Sequence, residues 1–305
     1  MTQPAVVIFA WNGKDKAFQH IQWDATPAFE VVLFDYSGKA ALPVIEQHPA
    51  AFNEGAAAVP SEIVIDQYIS VATEFKGRLI NEVYKHFAGN QRNLNKQTNP
   101  GTQNNPDNQI APRNKDYRYI GFFDDDLAIA ISGINRLLEI ATRENMDAFQ
   151  AATDDQSYTS HAFTIQQPGI EWAPVDWVEI MCPFYRKEIF DAAHEFYANN
   201  ISSYGLDNYA IPFFQKILGL TKTAVIHAVS VTHLKPVTNG DKKFSNGLRA
   251  REEGEIIRSE ILHRISQEHA GLFPLDFLKR VYEYRTFRYN KHKRDIKRWL
   301  GFKTT

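Results

Sequence analysis

The chain has 305 residues, 44% of them hydrophobic, with a formal net charge of −2 and one cysteine. This describes a folded globular protein with room for one large core, and with a mean hydropathy of −0.39 and no apolar run of about 18 residues it excludes an α-helical membrane span. Cys182 alone excludes an intramolecular disulfide and a cysteine-based zinc cluster, which fits a reducing compartment, and its apolar setting predicts burial rather than reactivity.

The N-terminus, Met1-Thr2-Gln3-Pro4, lacks the basic flank and apolar segment of a signal peptide, so a cytoplasmic location is expected. Charge is unevenly spread. Residues 279–303 carry ten Lys/Arg against Glu283 and Asp295, a local balance of +8 that leaves the remainder near −10.

In chain order, residues 5–10 and 29–34 are apolar runs that stop at Trp11-Asn12-Gly13 and Asp35-Tyr36-Ser37-Gly38, two strands each ending in turn residues. An apolar segment at 68–72 leads into residues 73–87, where Phe75, Leu79, Val83 and Phe87 recur every four positions. That spacing predicts an amphipathic helix with Thr73 as N-cap. From 89 to 115 the chain turns to Asn, Gln, Pro and Gly, the composition of a long polar surface insertion.

Residues 117–127 are the centre of the sequence. Tyr119, Ile120, Phe122 and Phe123 predict a buried strand, and the run breaks into Asp124-Asp125-Asp126 at its carboxyl end. Strand alternation would let Asp124 and Asp126 converge while Asp125 faces elsewhere. Adjacent carboxylates repel unless a cation offsets them, and hard oxygen ligands suit Mg²⁺ or Mn²⁺; the other reading is an acidic turn near the positive end of the next helix.

A helix follows with Ile134, Leu137, Leu138 and Ala141 on one face, then a strand at 147–152 and a polar turn at 153–157. Residues 172–185 predict one long strand in which Trp177 and Glu179, on alternate positions, share a face. After a helix at 187–199, Asp207 stands past Gly205 at the start of another helix, where an N-cap is the plain alternative. Residues 223–233 form a last strand ending in His233, a position that equally suits a surface or core histidine.

The order of Asp124-Asp125-Asp126-Leu127, Gln150-Ala151-Ala152-Thr153-Asp154, Trp177-Val178-Glu179-Ile180-Met181, Tyr204-Gly205-Leu206-Asp207 and Val231-Thr232-His233 resembles the GT-A type glycosyltransferases. More narrowly it is similar to a glycosyltransferase-like family of unknown function found in land plants and bacteria. The resemblance spans residues 5–235 and implies a Rossmann-like α/β domain, a mixed central sheet flanked by helices, over 1–240. Residues 241–305 would be a helical extension.

It further implies Asp124 and Asp126 as an Asp-x-Asp pair for ribose and metal, and His233 completing the shell of Mn²⁺ or Mg²⁺. Asp207 would be the base that deprotonates an acceptor hydroxyl, with inversion as the outcome of single displacement. Trp177 and Glu179 would line the acceptor side. Asp35 and Trp11 would hold the base of a nucleotide-diphosphate sugar, with Lys76 near its phosphates. The acceptor would be a saccharide or lipid-linked saccharide in surface polysaccharide or glycolipid synthesis. The rivals are a nucleotidyltransferase, which would want a glycine-rich basic loop where only Asn12-Gly13-Lys14 stands, and a non-catalytic carbohydrate-binding or membrane-tethered protein on the same fold.

Residues 247–268 predict a charged helix with Leu248, Ile256, Ile257, Ile261, Leu262 and Ile265 as its apolar side. The basic tail interleaves Tyr282, Tyr284, Phe287, Tyr289, Trp299, Leu300 and Phe302 with its Lys/Arg, a pattern that fits peripheral contact at the cytoplasmic face of an anionic membrane or packing on the acidic body. Nucleic acid ranks behind both.

Overall fold

Apolar runs bounded by turn residues form most of the strands. The computed structural model describes residues 5–43, 63–94, 116–236, 241–269, 271–273 and 275–282. Its strands are β1 (Ala5–Trp11), β2 (Ile21–Gln22), β3 (Glu30–Asp35), β4 (Gln67–Ser70), β5 (Tyr119–Phe123), β6 (Leu127–Ala130), β7 (Ala148–Thr153), β8 (Trp172–Pro174), β9 (Pro183–Arg186) and β10 (Thr223–His233). The α-helices are α1 (Lys76–Leu94), α2 (Ile131–Arg143), α3 (Lys187–Ala192), α4 (Ile211–Leu218), α5 (Ala250–Glu268) and α6 (Leu275–Tyr282).

The sheet is mixed. β4, β3, β1 and β5 lie side by side and parallel, and β9 runs antiparallel between β5 and β7. β10 is parallel to β7, so all six strands other than β9 in this run end at one edge. The layout is the helix-flanked mixed α/β sheet that the sequence led us to expect.

Strand alternation sorts side chains into two cores. Val6 and Ile8 of β1 and Val32 and Phe34 of β3 join Leu79, Ile80, Val83 and Phe87 of α1 on one face. Ala5, Val7, Phe9 and Val31 join Ile134, Leu137, Leu138 and Ala141 of α2 on the other. Each fully buried side chain of this size contributes about 1.5–3 kcal/mol. The same first core takes in Ile257, Ile261 and Ile265 of α5 with Phe273, Phe277 and Val281, and the Phe213 and Phe273 rings stack at 5.4 Å. The C-terminal helices are thus continuous with the body.

Several elements depart from the sequence reading. The expected strand over 172–185 is two short strands, β8 and β9, joined by the irregular segment 175–182. Pro174 and Pro183 lack the amide donors that an unbroken ladder needs. α1 starts at Lys76, not after a Thr73 cap, because Phe75 turns aside to pack on Phe244 at 5.4 Å. It runs to Leu94, into the expected insertion, whose residues 95–115 lie outside the described ones. The helix expected over 187–199 is α3 followed by a 3₁₀ turn, Ala193–Phe196. On α5, Ile256 is 56% exposed, since a 3.6-residue period cannot bury it beside Ile257 and Ile261. No helix among the described residues is long and apolar enough to cross a membrane. Of the basic tail, residues 283–305 lie outside the described ones.

Candidate active site

The carboxyl edge of the sheet gathers most of the polar residues singled out above. Register puts Trp11, Asp35 and Ser70 level at the ends of β1, β3 and β4. β5 stops at Phe123, and the next three residues form a tight turn closed by Leu127 N–H donating to the Asp124 carbonyl at 3.3 Å. Because Asp124, Asp125 and Asp126 are in a turn, the alternation expected of a strand does not apply to them.

Each acid instead finds its own partner. Asp124 pairs with Lys76 Nζ at 2.6 Å; Asp125 accepts from the Tyr36 hydroxyl at 2.7 Å; Asp126 Oδ2 faces His233 Nε2 at 3.6 Å. Burial raises the Asp124 carboxyl above the usual range, against the pull of Lys76, and the Asp126 charge raises it further. Burial would raise Asp126 as well, but its hydrogen bond and charge interaction with His233 outweigh that and hold it low. Burial pushes His233 down, and the same pairing with Asp126, with the Tyr158 carbonyl, brings its net shift upward.

His233 closes β10 beside Leu127 of β6. Its Nδ1 lies 2.8 Å from the Tyr158 carbonyl, which can only accept, so Nδ1 carries the proton. In the neutral ring the Nε2 lone pair therefore faces a carboxylate. The two groups thus form an ion pair when the imidazole is protonated and stand as two facing acceptors when it is neutral. Asp126 and His233 are the residues able to hold a divalent ion; among the described residues there is no cluster of three or more His, Cys, Asp or Glu that could do so.

Lys76 sits at the first position of α1, 11% exposed, and besides Asp124 it donates to the Ile180 and Met181 carbonyls, the latter at 3.3 Å. It ties the acidic turn to segment 175–182. A lysine at a helix N-terminus opposes the helix dipole, so Asp124 and these carbonyls are what hold it there.

Segment 175–182 is also the floor under Asp207. Gly205, at φ +87°, ends one turn and starts a π-helix, Leu206–Ala210, that runs into α4. Asp207 Oδ2 accepts from Ile180 N at 3.3 Å and Oδ1 from Asn208 N at 2.8 Å. Burial outweighs these bonds and pushes Asp207 up to about 6. Glu179 is held through its own amide, which donates to Gln150 Oε1 at 2.5 Å, while its Oε2 is sealed from solvent without a hydrogen-bond partner. Burial, then the charge of Asp207, push Glu179 up to about 7. Asn208 Oδ1 is likewise buried and unpartnered. Trp177 packs edge-on against His161 at 4.7 Å and Phe163 at 5.1 Å.

The nucleotide-side candidates are placed differently. Asp35, 0% exposed, accepts from the amides of Ser37 and Ala40 at 2.8 and 3.0 Å and from the Ser70 hydroxyl at 2.7 Å. Burial would raise it, yet the bonds from Ser37, Ser70 and Ala40 together hold it below the usual carboxylate range. It organises the turn after β3. Trp11 donates to the Asp15 carbonyl at 2.8 Å and lines a narrow cleft with Asn12, Asp15, Lys16, Asp124 and Asp125. Tyr36 and Gln150 are site residues to which sequence reasoning assigned no role of their own. Gln150 had a signal, a glutamine inside an otherwise apolar run, and the structure buries it completely.

No family model matches the chain, and no curated protein does. Among solved structures it is similar to S. aureus TarS at 13% identity and a TM-score of 0.42, covering 93% of this chain and 44% of that one. This chain thus spans less than half of that TarS chain. TarS 1-349 in complex with UDP-GlcNAc matches at 12% identity and 0.36, covering 92% of this chain and 82% of that one. A197 from STIV matches at 9% identity and 0.32, with 81% and 92% covered. These are likenesses of layout alone.

Proposed function

We propose that the chain transfers a sugar from a nucleotide-diphosphate donor to a hydroxyl acceptor, with a divalent cation, Mn²⁺ or Mg²⁺, held by Asp126 and His233. The observation that carries this reading is one edge bearing two distinct sets of groups. The Asp126 carboxylate and His233 Nε2 face each other at 3.6 Å, and of the raised, buried carboxyls Glu179 lies on the segment that Lys76 anchors and Asp207 is bonded to it through the Ile180 amide.

When bound, the cation supplies Lewis-acid stabilisation of the charge that grows on a leaving diphosphate. The protein's own part is positioning and proton transfer. Lys76 offsets the charge of Asp124, so that a donor phosphate meets less repulsion from the acidic turn. Trp11, at the end of β1, flanks the nucleotide. Asp207 accepts the proton of the acceptor hydroxyl; with its carboxyl near 6 it is ionised at neutral pH and still basic enough to act, a role worth ~10²–10⁴-fold. Attack opposite the leaving group inverts the anomeric centre. Trp177 gives a saccharide acceptor an aromatic face, and Glu179 Oε2 bonds one of its hydroxyls.

Calorimetric titration with a panel of nucleotide-diphosphate sugars, UDP-GlcNAc among them, with and without Mn²⁺, tests this. One donor should bind only with metal, lose binding in Asp126→Ala and keep it in Asp207→Asn, which should fail to transfer. Binding of no donor with any metal, or binding indifferent to Asp126→Ala, refutes it.

A further inference from the structure

Asp154 ends the Gln150–Asp154 motif, and its carboxylate has no part in the chemistry above. It folds a short turn instead. Oδ1 accepts from Gln156 N at 3.1 Å and from Ser157 Oγ at 2.7 Å, and Oδ2 accepts from the Thr232 hydroxyl. An aspartate bonded to the amide two residues on is an Asx-turn, which sets the path of the next few residues.

That turn brackets His233 on three sides. The His233 amide donates to Ser157 Oγ at 3.0 Å, the His233 carbonyl accepts from Tyr158 N at 3.0 Å, and Nδ1–H donates to the Tyr158 carbonyl at 2.8 Å. His233 N–H, the Ser157 hydroxyl and Asp154 therefore form one directional relay. Asp154 N also donates to the Val231 carbonyl at 3.1 Å, locking the turn to β10 two residues before the histidine.

We infer that Asp154 is a positioning residue, which through the turn at 154–158 holds His233 with Nδ1–H on Tyr158 and Nε2 aimed at Asp126 to ligate a divalent cation. The role rests on the metal reading given above. Without the turn the imidazole is free to take its other tautomer. Nε2–H would then donate to Asp126, and a pair of ligands would become an ordinary hydrogen bond.

Two readouts test this, one of them independent of metal and of activity. Nitrogen-15 NMR of the metal-free protein reports the His233 tautomer at alkaline pH, assigned with His233→Ala, and electron paramagnetic resonance of free Mn²⁺ gives affinity. The wild-type chain should show the Nδ1–H form. Asp154→Ala and Ser157→Ala should release it toward Nε2–H and weaken Mn²⁺ binding about 10–100-fold, the range for lost outer-shell partners. Asp154→Asn, whose Oδ1 still accepts, should recover most of the loss. Ser157→Ala leaves the Asx-turn intact, so the test survives if Asp154→Ala fails to fold. An unchanged tautomer and unchanged affinity in both variants overturns the inference. A wild-type chain that binds no Mn²⁺, with the tautomer still released in the variants, overturns the metal reading and supports the positioning role.

Discussion

Replacing Lys76 by methionine keeps the aliphatic stem and removes the charge that Asp124, Ile180 and Met181 share. Breaking a buried pair by deleting one partner costs about 3–5 kcal/mol. Asp124 is 29% exposed, so water takes up part of that loss. The Met181 and Ile180 carbonyls also lose a donor, though each is on a chain segment that can shift. We expect a net destabilisation of roughly 2–3 kcal/mol, which at about 2–4 °C per kcal/mol lowers the melting temperature by roughly 5–10 °C. Asp124→Asn removes the other charge, and the double variant Lys76→Met/Asp124→Asn should be less destabilised than the two singles added together. The cycle should return a coupling of about 1–3 kcal/mol in urea denaturation. A Lys76→Met chain within about 0.5 kcal/mol of wild type, or a coupling near zero, would show that the cation is not what steadies the acidic turn.

The raised carboxyls predict an unusual pH response. Their folded-state values lie above the unfolded ones, so the folded state binds more protons, and the stability they lend is complete below the unfolded value and lost as pH climbs through about 6 and about 7. Glu179→Gln should match wild type near pH 4 and exceed it near pH 8 by on the order of 1–3 kcal/mol in denaturant titrations; equal stability at both ends speaks against a protonated Glu179. The transfer rate should rise through pH about 6 as Asp207 ionises, and a rate flat from pH 5 to 8 removes it as the base. Gly205→Ala should cost about 1–3 kcal/mol, because φ is +87° and a Cβ would stand 3.1 Å from Gly254 Cα. A melting temperature unchanged in that variant contradicts the strain.

The strands that the sequence reveals are those whose side chains answer to local rules. β1, β3, β5, β7 and β10 are apolar runs with turn residues at both ends, and their placement follows within one or two residues. β2 and β6 are two and four residues long, too short for a period to register. The site shows the same division. Asp126, Asp207 and His233 stand out as polar residues at strand or helix ends, whereas Tyr36 on Asp125 and Lys76 on Met181 join positions 89 and 105 residues apart. No local pattern encodes such a partner. The segment 175–182 misled for the converse reason: its apolar residues read as a strand, but Val178, Met181 and Cys182 are buried in the two cores while Lys76 and Asp207 hold the backbone of Ile180 and Met181 in place of a ladder.

The contact between Gly205 and Gly254 bears on where the chain could be trimmed. α5 presses its backbone against the glycine that launches the π-helix, and Glu253, 3% exposed, accepts from the amides of Ile201 and Ser202 at 3.1 and 2.7 Å. A recombinant fragment ending near residue 240 would therefore take away the wall behind Asp207, leaving those two amides bare and Leu206 and Phe213 in water. Shortened proteins made for crystallisation or assay should keep everything through α6, since Asp207 owes its setting to helices that arrive some fifty residues later in the chain.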